Sequence, residues 1–402
     1  MTVGRDGAAS PDGPLRVLLV LTYYRPHTSG LTIYVERLAR SLARRGHAVT
    51  VLTSRHDRSL PRTEHEQGVE IVRAPVVARI SKGVVMPSFG LLASRLVSKH
   101  DAVSLHLPQL DAAGVGLKAR LLGRPSVVTY HCDLRLPAGA LNRIADRVIR
   151  LSHRMALRLA DRVVTYTRDY ADHSPALQRV RDHLVIIPPP VEMSAPDPGR
   201  TTALRTRLGL REGPIVGMAS RFASEKGIEF LLAAIPQLAT RFPGIAVLFA
   251  GPYKDVLGER RYWRRLEPAL QGLGDRWRFV GTLPQAELPA FYAACDCLVV
   301  PSLNSTESFG LVQVEAMLCG TPVVASNLPG VRQPVLTTGM GELARPGDAG
   351  ALAAAIGKVL GNRAGYIRAR ARIEELYNTD RTAAAYESLF RDLLASRRRR
   401  RA

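Results

Sequence analysis

Cysteine is scarce: four residues in 402, at positions 132, 295, 297 and 319. That is too few for a disulfide framework, and no two stand at C-x-x-C spacing, so neither a stapled secreted scaffold nor a zinc ribbon is expected. No apolar run approaches the ~18 residues that span a bilayer. The opening MTVGRDGAASPDGP carries two aspartates where a secretory signal needs an apolar stretch, so the expected location is the cytoplasm. Lysine is also rare, six of 56 basic residues, and the 35 acidic residues leave a net charge of +21. This arginine excess has two readings: a compositional bias, or an anionic partner such as ligand phosphates, a membrane surface or nucleic acid. Aromatic-basic interleaving, helix-turn-helix spacing and zinc spacing are all missing, which disfavours nucleic acid.

What is present is alternation. Short apolar runs at 15–22, 48–53, 69–73, 102–107, 126–130, 162–166 and 184–187 read as buried parallel strands, separated by helical periodicity such as that of residues 31–45. Five prolines within 186–199 read as a linker. The alternation then restarts, with strands at 215–219, 245–250, 277–280, 297–301 and 322–326 and helices between them. The fold class is α/β, with two Rossmann-like doubly wound domains facing across a cleft. The expected organisation is a disordered tail over 1–14, an N-terminal domain over 15–190 and a C-terminal domain over 191–380. A helix over 381–396 packs back toward the N-terminal domain, and 397–402 form a solvated basic tail.

Chemistry is sought just after strands. Ser220-Arg221-Phe222-Ala223-Ser224-Glu225-Lys226-Gly227 follows one strand and precedes a helix; its two cations suit a diphosphate. After the strand at 297–301 comes Glu307-Ser308-Phe309-Gly310-Leu311, then a helix carrying Glu315. Eight residues on a helix separate the two glutamates by ~12 Å along the axis. Glu307 therefore sits at a helix mouth whose leading amides favour an anion, and Glu315 lies two turns inside. The arrangement suits a nucleotide sugar, with phosphates on the helix start and carboxylates on sugar and ribose hydroxyls.

Arg221, Lys226, the Glu-Ser-Phe-Gly run and the spacing of Glu307 and Glu315 together resemble the retaining glycosyltransferases of family 4, which have the GT-B fold. The resemblance runs over nearly the whole chain, including residues 42–54, Tyr130-His131 and the segment 321–331. It implies that Arg221, Lys226, Gly310, Leu311 and Gly30 bind the donor diphosphate and that Glu315 binds the ribose. It likewise implies that Glu307, Ser308 and Phe309 hold the donor sugar, with His131 and Glu307 as the catalytic pair. One departure stands in the first loop, His27-Thr28-Ser29-Gly30-Leu31-Thr32, where the family often has a Gly-Gly pair. Gly30 can still adopt a positive φ there, but Leu31 adds a side chain where the second glycine would stand.

The chain has no Asp-x-Asp pair, so metal-independent transfer without a cofactor is expected, with protein cations stabilising the leaving diphosphate. The acceptor is expected on the N-terminal domain, where residues 1–190 hold 28 basic and 15 acidic residues. There Arg143, Arg147, Arg150, Arg154 and Arg158 form a helical stripe beside Ile144, Val148, Leu151, Met155 and Leu159. Such a helix suits either an anionic membrane, and hence a lipid-linked or phospholipid acceptor, or a core-packed position with a solvated arginine edge. A nucleotide-sugar epimerase of the same fold and a basic nucleic-acid-binding protein are the competing readings.

Overall fold

The computed structural model describes residues 13–80, 83–134, 140–210 and 212–400. The expected tail over 1–14 and the last two residues of the basic tail lie almost wholly outside the described residues. The chain divides into two compact units, Met1–Pro190 with Asn378–Ala402, and Val191–Tyr377.

The first unit contains β1 (Arg16–Val20), β2 (Ala48–Arg55), β3 (Thr63–Glu66), β4 (Val69–Pro75), β5 (Ala78–Ile80), β6 (Gly83–Val85), β7 (Ala102–Leu107), β8 (Ser126–Tyr130), β9 (Arg162–Thr165) and β10 (Leu184–Ile186). Its eight-stranded sheet has the order β10-β9-β8-β7-β1-β2-β4-β3. β7 and β8 are buried at every position, as strands covered on both faces must be. The sheet is not wholly parallel, however. β3 runs antiparallel to β4, and β5 and β6 form a separate antiparallel pair. The sequence Thr-Glu-His-Glu of β3 lacks any apolar run because it forms a charged sheet edge, which resists pairing with another chain.

Helix α1 (Gly30–Arg44) follows β1; its cap is Ser29, whose side chain accepts from the Thr32 N–H. Gly30 therefore begins a helix with an ordinary negative φ and open space where a Cβ would stand, and the positive φ open to a glycine is not used. The sheet is also covered by α2 (Phe89–Lys99), α3 (Ala112–Leu121) and α4 (Ala140–Leu159), with α3 lying against both α2 and α4.

The C-terminal helix Thr379–Arg399 belongs to this first unit. Ser41 Oγ donates to Asp380 at 2.6 Å, and Arg45 pairs with Glu387 at 2.7 Å. The expected solvated tail is partly helix instead. Arg397 lies on that helix and its guanidinium grips both carboxylate oxygens of Asp161 at 2.8 and 2.9 Å.

The second unit contains β11 (Ile215–Ala219), β12 (Ala246–Ala250), β13 (Trp277–Gly281), β14 (Cys297–Val300), β15 (Val323–Ser326) and β16 (Gly341–Ala344). They form one parallel sheet in the order β13-β12-β11-β14-β15-β16. β16 is the strand that hydrophobic patterning misses, since Gly-Glu-Leu-Ala has no apolar run. The chain grows outward from β11 to β13 and then returns to lay β14 on the other side of β11. The β11–β14 boundary is thus a switch point, where the following loops diverge and leave a crevice.

Glycines let those loops approach. Gly227 has φ +68°, and a Cβ on it would lie 2.2 Å from the Pro301 carbonyl oxygen; a Cβ on Gly251 would lie 2.0 Å from that of Ser220. Replacing Gly227 by Ala adds a backbone clash to a left-handed φ, so urea denaturation should show a loss of about 2–4 kcal/mol. A loss under about 0.5 kcal/mol would show that the two loops are not in contact there.

Candidate functional site

The loop after β11 ends in a single tight turn, Ser224–Lys226, before Gly227 admits the helix Ile228–Arg241. The loop after β14 leads to Gly310 and the helix Leu311–Leu318. These loops leave adjacent strands, and their functional side chains meet: Lys226 Nζ lies 2.6 Å from Glu307 Oε2. The Leu303 N–H donates to the Glu225 carbonyl oxygen at 3.0 Å, tying the same two loops through the backbone. Both partners of the ion pair are about one-fifth exposed, so the pair is partly shielded yet open to a ligand. Arg221 is turned elsewhere. Its guanidinium pairs with Glu225, four residues on, and its side chain is largely solvent-facing.

Gly310 caps the helix Leu311–Leu318 at φ +78° with no side-chain cap bond, so the leading amides are not closed off by a capping oxygen. The turn before it is fixed from below. Gln313 Nε2 donates to the carbonyl oxygens of Phe309 at 2.6 Å and Val331 at 2.9 Å, while the Phe309 ring packs edge-on to Tyr377. Ser308 is buried in the same turn. Glu315 is buried on the second turn, where it accepts from the Tyr292 hydroxyl at 2.9 Å. A carboxylate there needs such donors, since an unpaired buried charge is costly. The structure thus gathers Lys226, Glu307, Ser308, Phe309, Gly310, Leu311 and Glu315 around one strand edge of the second unit. A separate hollow of about 280 Å³, lined by Arg205, Asp296 and Arg363, lies near the starts of β11 and β14, at the opposite sheet edge.

Gly30 and His131 belong to the first unit. His131 follows β8 and is buried, its Nδ1 bonded to the Tyr166 hydroxyl and its Nε2 3.0 Å from His106 Nδ1. Burial, together with His106, holds the His131 imidazole well below its ordinary pKa; burial alone pushes His106 down to about 3. Both rings are therefore neutral near pH 7. Tyr292, Gln313, His106 and Tyr166 were not legible as site residues. The one visible signal among them was His106, a polar residue inside the apolar strand β7.

Helix α4 shows three stripes. Ala156 and Leu157 pack inward, while Arg143, Arg147, Arg150, Arg154 and Arg158 are exposed. The stripe between them is exposed too: Val148, Leu151 and Met155 are 52%, 58% and 45% accessible. A core-packed helix with only an arginine edge does not fit those values. His153 on α4 accepts from the Gln109 N–H at 3.1 Å, which fixes the helix against the loop after β7. Among the described residues, no helix is long and apolar enough to cross a membrane, and no group of three or more His, Cys, Asp or Glu is arranged to hold a metal ion.

Comparison with known proteins bears on both units. The family model "Glycosyl transferases group 1" matches residues 201–377, and "Glycosyl transferase 4-like domain" matches residues 29–190. The 2-deoxystreptamine glucosyltransferase of Streptomyces kanamyceticus is 32% identical over 356 residues, covering 82% of this chain and 89% of that protein. The D-inositol 3-phosphate glycosyltransferase of Acidothermus cellulolyticus is 30% identical over 423 residues, covering 97% and 93%. Among solved structures, Anabaena HepE in complex with UDP-glucose superposes with a TM-score of 0.74 at 20% identity, covering 95% of this chain and all of that one, a likeness of fold. The chain belongs to the family-4 type of glycosyltransferases and is built from the Rossmann-like units of the GT-B fold.

Proposed function

We propose that the protein is a retaining hexosyltransferase that takes its sugar from a nucleoside diphosphate sugar without a metal ion. The observation that carries this reading is the meeting of Lys226 and Glu307 beside an uncapped helix start at the β11–β14 switch point. The ammonium group has three donors; one on Glu307 leaves two for diphosphate oxygens, while the amides of Gly310 and Leu311 take others. Arg221 joins them by exchanging Glu225 for phosphate, an inexpensive exchange because exposed ion pairs are worth about 0–1 kcal/mol. These fixed positive groups do the work a divalent ion would do for the departing diphosphate. Glu315 takes the ribose hydroxyls, and Glu307, with the backbone of Ser308 and Phe309, holds the sugar.

In the transfer step the sugar C1–phosphate oxygen bond breaks and a bond from C1 to the acceptor oxygen forms on the same face. The acceptor proton passes to the leaving phosphate oxygen, so no separate carboxylate base is required. His131 acts from the first unit. Its ring is neutral with both nitrogens held, so it meets the donor sugar as a fixed, uncharged group.

The acceptor reading rests on α4, whose exposed Val148, Leu151 and Met155 lie beside five exposed arginines. Each Lys or Arg near an anionic surface contributes about 1 kcal/mol, and the apolar stripe adds buried area. A lipid-linked or phospholipid acceptor at such a surface fits this helix.

Two measurements test these assignments. In a metal-free thermal-shift panel, a nucleoside diphosphate at 100 times its Kd should stabilise the fold by about 2.7 kcal/mol. For a unit of this size that is a rise of roughly 5–10 °C. Lys226→Ala and Glu315→Ala should each lose most of the rise relative to their own baselines; an undiminished rise in both would refute the donor site. In flotation, the protein should bind phosphatidylglycerol vesicles and not phosphatidylcholine vesicles, with binding at least tenfold weaker after V148S/L151S/M155S. Equal flotation on both lipids would end the membrane reading.

A further inference from the structure

Beneath His131 lies a buried polar cluster that the donor site does not use. Tyr386, on the C-terminal helix Thr379–Arg399, is wholly buried, and its hydroxyl lies 2.7 Å from Thr129 Oγ1 on β8 and 2.8 Å from the Tyr34 hydroxyl on α1. The Tyr386 hydroxyl can donate to one of these neighbours and accept from the other. The hydroxyls form an open chain of two bonds in the core, with that of Tyr386 at its centre.

The Tyr34 ring fixed by that chain is in turn a wall of the His131 site. It meets the His131 imidazole edge-on, with centroids 4.8 Å apart and planes at 88°, and stacks on Tyr166 at 5.3 Å. Tyr166 carries the hydroxyl bonded to His131 Nδ1. On its other side, His131 Nε2 faces His106 Nδ1, and His106 Nε2 lies 3.3 Å from Ser104 Oγ. Because both imidazoles are neutral, each carries one proton, and the chain Tyr166–His131–His106–Ser104 has just two polarities. Either Tyr166 donates into it and Ser104 accepts, or Ser104 donates and Tyr166 accepts. Whichever holds, the two tautomers are set together.

We propose that Tyr386 is a positioning residue for sugar transfer, acting through Tyr34 and Tyr166 to hold His131 in a single orientation and tautomer. The last helix of the chain thus supplies a hydroxyl to Thr129, 257 residues earlier and two residues before His131. This inference rests on the reading that His131 contacts the donor sugar. Tyr386→Phe keeps the ring, which packs on Phe390, and removes only the hydroxyl.

The test combines steady-state kinetics with nitrogen-15 spectra of histidine-labelled protein. With UDP-glucose and GDP-mannose as donors, Tyr386→Phe should lower kcat at least fivefold for the one the wild type turns over, leave KM for that donor within twofold, and shift the ring-nitrogen signals of His131 toward a tautomer mixture. Tyr34→Phe removes the same hydrogen bond from the opposite side, so it should reproduce the effect, and the double variant should be no worse than either single one. It also serves if Tyr386→Phe fails to fold. A wild-type enzyme that turns over, with kcat unchanged in the folded variant, would overturn the inference alone. A wild-type protein that neither binds nor turns over UDP-glucose or GDP-mannose would overturn the donor-site reading, and this inference with it.

Discussion

Everything assigned to the second unit depends on the reversal of strand order between β11 and β14. Neighbouring strands stand about 4.8 Å apart, so loops leaving their carboxyl ends start within a side chain's reach of each other. At any other strand pair of this sheet the next helix would cover that edge. Here the helices go to opposite faces, and the edge stays open. Lys226 and Glu307, 81 residues apart in sequence, meet at 2.6 Å because of that topology. The price is backbone crowding, met by Gly227, whose missing side chain lets the loop after β11 lie against the backbone that follows β14.

The fold was largely legible because buried parallel strands are continuous apolar runs, and those runs do not depend on the partner strand. β3 and β16 escaped for the converse reason: one is a charged edge and the other a four-residue strand with little to bury. In the site, residue types were legible and partners were not. Arg221 and Glu225 are four apart, a spacing that sequence can reveal, whereas the link from Lys226 to Glu307 needs the sheet order. Tyr292 and Gln313 do their work through one hydroxyl and one amide, and neither belongs to a pattern. Gly30 shows the limit of reasoning from residue type. A glycine in a loop is free to take a left-handed turn, but the Ser29 cap recruits this one into the helix.

The first unit divides its polar groups between two uses. Its interior holds a chain of hydroxyls and a chain of neutral imidazoles, joined through the Tyr34 ring, an arrangement that rigidifies when fully satisfied. Its surface at α4 leaves apolar side chains beside arginines, which water alone does not reward. The arginine excess is thus not spread evenly in its consequences. Arg397 is absorbed into an ion pair with Asp161, whereas the α4 stripe stays exposed.

The most direct test of the donor site is a crystal structure of the protein with a bound nucleoside diphosphate, grown without divalent metal. Diphosphate oxygens should lie within hydrogen-bond distance of Lys226 Nζ and of the amides of Gly310 and Leu311, with the ribose hydroxyls on Glu315. A nucleotide bound with its diphosphate away from Lys226 and from the start of the helix Leu311–Leu318 would contradict that placement.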